Sequence, residues 1–361
     1  MTYANVTRLY CANGTCSPSL YAVAKTLPVL TLKRNFSCGG PNGTWEDSPF
    51  KEITNRPAPV PAQVLALNGT QRHLDWQATI PALFDAVRQS IAASWRPEAF
   101  HVIFHSSGYD SRIISAAIKQ LMLKNGKDWL GQGVLFLSNR WEATPFYAIM
   151  QAQGWDVEQH IAFTEGPDAE HFALGLCDLW ASAPLPIPGN LWRYLIQWAQ
   201  SKDMLPATNL QTYTGLWANE AWNAFLSVPN PWKGFVETWY GYNCMAALPV
   251  LTEWVEYPLI DTNVLELLSR ITPCSGDILR ARVAQFADPD TLHIERLPYD
   301  DRKHVIAPAQ RVYLEKRYAD TYVAQIKPWT APSTSEFSND WGWYGLARLV
   351  DRLRGEGVNV S

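Results

Sequence analysis

From about residue 100 the chain alternates apolar runs of strand type with helical stripes, and this alternation restricts its fold more than any other feature. HVIFH (101–105) is a continuous apolar run of the kind buried on both faces of a sheet, and Ile114, Ala117, Ile118 and Leu121 follow it at helical spacing. GVLFLS (133–138) is the next run, then a helix predicted from about Pro145 to Gln153 and closed by Gly154. VEQHIAF (157–163) reads as a third strand and NLQTYTG (209–215) as a fourth, with helices predicted over roughly 168–182 and 191–202 between them. Strand–helix alternation predicts an α/β fold with a parallel, doubly wound sheet.

The flanks read differently. Residues 1–77 hold short β-like runs (LYAVA, VLTLKR, AQVLAL) between Gly, Pro and Asn punctuation, and NRPAPVPAQ reads as a linker or an edge crossing. A helix is predicted next, with Thr79 as cap, Pro81 in the first turn and Leu83, Phe84, Val87 and Ile91 on one face. Beyond about residue 220 the sequence is helix-compatible and rich in tryptophan, and it ends in a polar loop and an amphipathic helix, LARLVDRLR. The expected division is a β-rich region over 1–77, an α/β domain over 78–285 and a helical C-terminal extension over 286–361.

With 361 residues, 47% of them hydrophobic, the chain has ample material for a core. A net charge of −4 gives no reason to expect duplex nucleic acid as a partner, although a local basic groove is compatible with it. No apolar run approaches bilayer-spanning length, so no membrane partner is expected. The first residues lack the charged-then-apolar pattern of a secretory signal, and the expected location is cytoplasmic. Asn-x-Ser/Thr triplets at Asn5, Asn13, Asn35, Asn42 and Asn68 are then read as turn chemistry, since Asn-Gly favours tight turns. Of the six cysteines, Cys11, Cys16 and Cys38 fit a bridge or part of a metal site, but free thiols are expected for all.

The stretch with most chemistry is FHSSGYDSRI, Phe104 to Ile113. Ligands of open parallel sheets bind beyond the carboxyl ends of the strands, where Ser106, Ser107, Gly108, Tyr109, Asp110 and Ser111 fall. Hydroxyls and first-turn N–H groups converging there make an anion site, with Gly108 permitting close approach and unusual backbone angles. An acid beside a phosphate points to a divalent cation between them, so Asp110 is read as a Mg²⁺ ligand. An ordinary turn in which Ser107 and Asp110 merely cap the helix fits the spacing equally well. Walker and GxGxxG patterns are absent from the sequence.

SSGYDSR resembles the SGGxDS loop of the PP-loop ATP pyrophosphatases (adenine nucleotide alpha hydrolase-like), and its Tyr-Asp-Ser-Arg ending is similar to the asparagine synthetase branch. Further likenesses follow in order: the helix IPALFDAVRQSIAAS before the loop, then LFLSN with Glu142 and a helix ending at Gly154. TGLWANE (214–220) resembles a Gly-x-Gly-x-Asp-Glu turn, and EYPLIDTNVLELL (256–268) a Pro-Phe-Leu-Asp element before a helix.

The resemblance covers roughly residues 78 to 285 and implies ATP and Mg²⁺ as cofactors. It implies a ligase that adenylates a carboxylate for attack by ammonia or an amine. Ser106, Ser107, Gly108, Tyr109, Ser111 and Arg112 would line the pyrophosphate site, and Leu137 and Ser138 would flank adenine or ribose. Gly215 would form the facing wall, Asp110 and Asn219 would hold metal, and Asp110, Glu220 and Lys303 would carry catalysis, with Lys316 an alternative to Lys303. The substrates would be small-molecule or peptide carboxylates and amines.

Departures from the family pattern are specific. Ser107 replaces a glycine, Asn219 an acid, and Glu256 the arginine usual before Pro-Phe-Leu-Asp. Thr2 stands where glutaminase-bearing synthetases expose a cysteine, so nitrogen would come from a separate ammonia source or from an amine on the substrate. Two other readings stay open: a PP-loop enzyme modifying a nucleic-acid base, and an inactive nucleotide-binding scaffold. His101, His105 and His171 are read as structural or surface groups, with contact to phosphate or substrate the alternative for His105, which adjoins the loop. Arg112 is read as pairing with phosphate or with an acid on the next strand. The tryptophans, among them Trp217, Trp222, Trp232, Trp239 and Trp254, are read mainly as core.

Overall fold

A computed structural model describes residues 9–17, 19–33, 48–56, 72–163, 187–215, 218–227, 254–297, 316–326 and 339–361. The strands are Leu9–Ala12 (β1), Thr15–Ser17 (β2), Val29–Leu30 (β3), Thr54–Arg56 (β4), Phe100–Phe104 (β5), Val134–Ser138 (β6), His160–Ala162 (β7), Leu210–Tyr213 (β8), Trp254–Glu256 (β9) and Asn359–Val360 (β10). The α-helices are Leu20–Ala24 (α1), Trp76–Ser94 (α2), Tyr109–Asn125 (α3), Ala143–Ala152 (α4), Ile187–Ser201 (α5), Ala218–Ser227 (α6), Thr262–Arg270 (α7), Gly276–Ala287 (α8), Tyr322–Ile326 (α9) and Asn339–Gly355 (α10).

The main sheet has the order β7-β6-β5-β8-β9, and every neighbouring pair in it is parallel. Numbered along the chain, its strands run 3-2-1-4-5, so strand order reverses between β5 and β8. That reversal opens a crevice at the carboxyl ends of those two strands. The four predicted strands are all present, although β7 is shorter than its apolar run because Val157–Gln159 forms a 3₁₀ turn. The fifth strand, β9, corrects the expectation of a wholly helical lobe after residue 220. The helix predicted over 168–182 lies outside the described residues.

Helix α2 starts earlier than predicted. Asp75, and not Thr79, caps it: its carboxylate accepts from the Ala78 N–H at 2.8 Å, and Pro81 falls inside the helix. The predicted face holds, since Leu83, Phe84, Val87 and Ile91 are all buried. Around the sheet they join a large core with Val102, Ile103, Phe136 and Trp222. Trp222 is fully buried and donates its indole N–H to the Leu259 carbonyl at 2.8 Å, which is core packing with a satisfied polar tip. Trp217, Trp232 and Trp239 lie outside the described residues.

A second, smaller core joins the two ends of the chain. Leu20, Val23, Leu30, Phe50 and Ile53 pack with Leu346, Leu349, Val350 and Leu353 of α10, and β10 pairs in parallel with β3. Each such leucine contributes roughly 1.5–3 kcal/mol by leaving water. The N-terminal region and C-terminal extension, expected as separate, therefore form one unit. The predicted stripe of LARLVDRLR is the face that closes it.

Within this unit LYAVA, read as β-like, is helix α1; the Ser19 hydroxyl caps it by accepting from the Ala22 N–H at 3.1 Å. Strands β1 and β2 form a hairpin across Asn13 and Gly14, whose φ values of 48° and 81° suit the tight turn expected of Asn-Gly. Its register sets Cys11 opposite Cys16, with Cα atoms 4.2 Å apart, and the two form a disulfide. That corrects the expectation of free thiols for this pair, while Cys274 is a free cysteine. Among the described residues no helix is long and apolar enough to cross a membrane.

Candidate functional site

Two loops meet at the crevice between β5 and β8. Residues 105–108 join β5 to α3, and Thr214 and Gly215 follow β8. A Cβ on Gly215 would stand 2.7 Å from the Asp110 Cβ, so glycine is required there by close approach. Gly108 has an ordinary extended backbone, φ −73° and ψ 163°, which corrects the expectation of unusual angles. A Cβ on it would come within 3.0 Å of the Ser106 hydroxyl.

The loop is tied down internally. Ser111 Oγ donates to the Ser106 carbonyl at 2.7 Å, Gly108 N–H donates to Ser106 Oγ at 3.0 Å, and Ser107 N–H donates to the Glu142 carboxylate at 3.2 Å. Glu142 is 2% exposed and closes the loop from the β6 side, a positioning role for the acid of the "acid-then-helix" segment. Ser107 Oγ accepts from the Leu297 N–H at 3.1 Å, which explains a serine where the resembled loop has glycine. Helix α3 has Gly108 as its N-cap and no side-chain cap, so its first N–H groups face the crevice with the positive end of the helix dipole. Neither Ser107 nor Asp110 is the capping residue of the ordinary-turn reading.

Arg112 does something neither reading anticipated. It is 3% exposed and donates to three backbone carbonyls, of Ser107 (3.1 Å), Thr291 (2.8 Å) and Ile294 (2.7 Å). It clamps the loop to the segment after α8, with all three guanidinium nitrogens donating to backbone carbonyls. That segment therefore belongs with the α/β body, beyond the expected boundary at 285.

Asp110 meets a residue the sequence did not flag. Arg280, on α8, donates through Nη1 to both Asp110 carboxylate oxygens at 2.8 Å each, and through Nη2 to Asn219 and Asp277. Burial works against a charged Arg280, but Asp110 and then Asp277 outweigh it and hold its pKa above the ordinary arginine value. Burial lifts the Asp110 carboxyl above its usual range, with Arg280 pulling the other way. A guanidinium donating to both oxygens fixes the pair as ionic. Asp110 and Asn219, the expected metal ligands, are thus brought together, but around an arginine.

Leu137 and Ser138 end β6 as expected and are buried. The Ser138 hydroxyl is buried at the carboxyl end of β6 and has no hydrogen-bond partner among the described residues. His105 is a buried structural group: 1% exposed, its Nε2 lies 3.2 Å from Ser115 Oγ, and burial lowers its pKa to about 3. Glu220 lies in the first turn of α6, Lys316 is exposed, and Lys303 lies outside the described residues. Beside the loop, Tyr109, Arg282, Leu292, Ile294 and Arg296 help line an open cavity of about 560 Å³, with the Arg296 guanidinium 5.3 Å from the Tyr109 ring centroid.

No protein-family model matches the chain, and no curated protein sequence matches it.

Proposed function

We propose that the chain is an ATP-dependent, AMP-forming carbon–nitrogen ligase that adenylates a carboxylate for attack by ammonia or an amine. The observation that carries this reading is the meeting of the SSGYDS loop and the Thr214–Gly215 turn across the crevice where strand order reverses, with Gly215 packed against Asp110. ATP fits these residues: the uncapped start of α3 offers N–H donors to phosphate at the crevice. Bound ATP would supply the adenylyl group and release pyrophosphate. Ser106 and Ser111 hold the loop in shape, Glu142 and Arg112 anchor its backbone, and Gly215 lets the second loop close on the first. These are preorganisation roles, the kind that lower a barrier by fixing geometry.

ATP–pyrophosphate exchange across pools of carboxylic acids tests the proposal, with Asp110→Asn as control and a melting curve to show that the control folds. Carboxylate-dependent exchange in wild type and its loss in the control are expected. No exchange in any pool together with no ATP binding by calorimetry would overturn it. A second reading, a nucleotide-binding protein without turnover, is favoured by Arg280, which engages both expected metal ligands. ATP binding without exchange is its signature.

A further inference from the structure

Mg²⁺ does not fit the residues that the sequence resemblance assigns to it. Both Asp110 oxygens accept from one arginine nitrogen, and Asn219 Oδ1 accepts from the other arginine nitrogen and from Asn223 Nδ2. A cation at Asp110 would share those lone pairs with a guanidinium whose residue is 4% exposed, and two positive charges would stand side by side where little water screens them. Among the described residues no group of three or more His, Cys, Asp or Glu is placed to hold a metal ion.

We propose that Arg280 is a built-in cation that replaces a protein-bound divalent metal between Asp110 and Asn219, so that a nucleotide phosphate meets the start of α3 without one. The nucleotide half of this statement rests on the ligase reading; the metal half stands on the contacts alone. Left unpaired, Asp110 would repel a phosphate at the helix start. Arg280 neutralises it from below, and Arg296 adds a second positive charge felt by the same carboxyl. The helix N–H groups and dipole then act on the phosphate with the Asp110 charge offset by Arg280 and Arg296. Packing supports permanence of the arrangement. A Cβ on Gly276, at the start of α8, would come within 2.4 Å of Asn223 Oδ1, so α8 lies hard against α6 and carries Arg280 to Asn219. Both terminal nitrogens of Arg280 are engaged; Nε is buried and has no partner among the described residues.

Two measurements on the full chain test this. The first is Mn²⁺ uptake without nucleotide, read from the loss of the free-ion paramagnetic resonance signal. Wild type is expected to take up none at millimolar Mn²⁺, Arg280→Gln to gain a site, and Arg280→Gln/Asp110→Asn to lose it again. Uptake by wild type that disappears in Asp110→Asn overturns the proposal, and so does a folded Arg280→Gln that gains nothing. Should Arg280→Gln fail to fold, the wild-type and Asp110→Asn arms decide alone. The second is ATP affinity by calorimetry in EDTA and in Mg²⁺, expected to agree within about tenfold. Binding only with Mg²⁺ overturns the nucleotide half. Binding under neither condition sinks the ligase reading, and the Mn²⁺ arms still decide the metal half.

Discussion

Strand β5 ends in two different kinds of environment. Near its amino end His101 stacks on Trp95 with ring centroids 3.5 Å apart, and Trp95 also stacks on Trp129 (4.3 Å) and Tyr213 (5.4 Å). That end is closed by ring packing, with the Arg96 guanidinium 3.7 Å from the Trp254 ring centroid. At the carboxyl end apolar contact gives way to a hydrogen-bonded loop, an ion pair and an uncapped helix. One end is specified by shape and the other by polar partners, and an open parallel sheet puts its ligands at the second. The difference teaches where damage should affect folding alone and where it should affect binding too.

The largest expected effect belongs to the stacked end. Trp95→Ala removes the ring shared by three neighbours and should lower unfolding stability by about 3–5 kcal/mol in urea titrations, with ATP affinity of the folded protein unchanged. A loss below about 1 kcal/mol would mean that the stack is not what holds this end. Asp110→Ala, at the other end, leaves Arg280 buried without its main counter-ion. The Asp110 side chain is 23% exposed, which softens the effect to about 3 kcal/mol, and here nucleotide binding should change as well, rising because the Arg280 charge is no longer balanced by Asp110. Adding Arg280→Met should recover part of the stability and bring nucleotide binding back toward the wild-type value. Full additivity of the two substitutions would show that the pair is not coupled.

What the sequence reveals divides along the same line. The strands and the stripe of α2 are legible because burial imposes a period: every residue of VLFLS is buried, and Leu83, Phe84, Val87 and Ile91 all face the core. β9 has three residues, only Val255 of them buried, too short a run to carry a period. β3 and β10 have two each, so the joining of the chain ends left no local trace. In the site, the loop is legible because its donors, glycine and acid are contiguous. Arg280 lies 170 positions from Asp110 on an amphipathic helix, where its spacing from Asp277 reads as an ordinary surface pair. Partners made by packing of distant elements have no sequence signature, and the same holds for the contacts of Arg112 with Thr291 and Ile294.

Acid should weaken both ends of β5 in the same direction. Burial lowers His101 to about 4 and His105 to about 3, against an unfolded value near 6.5, and His160 is lowered by burial as well. Below pH 6.5 the unfolded chain takes up protons that the folded chain refuses, so stability present above that pH is lost as the solution is acidified toward these values. The loss at pH 5 is about 2 kcal/mol for each of His101 and His105. Urea midpoints at pH 7 and pH 5 measure it. His101→Phe, which keeps a ring against Trp95, should remove its share of the slope, and an unchanged slope would show that His101 is not the group responsible.

The smallest expected effect tests whether the carboxyl end depends on its family-like residues or on this chain's own additions. Ser107→Gly restores the glycine of the resembled loop and removes the hydroxyl that accepts from the Leu297 N–H. One lost hydrogen bond costs about 1 kcal/mol, so stability should fall by that order, while Arg112 keeps the loop docked on the 291–294 segment. The start of α3 is untouched, so ATP affinity should hold. If affinity falls more steeply than stability, Ser107 touches the ligand, and the tether to Leu297 is secondary. If both are unchanged, Arg112 alone suffices as the clamp, and the serine at this position has no structural consequence that the contact to Leu297 would explain.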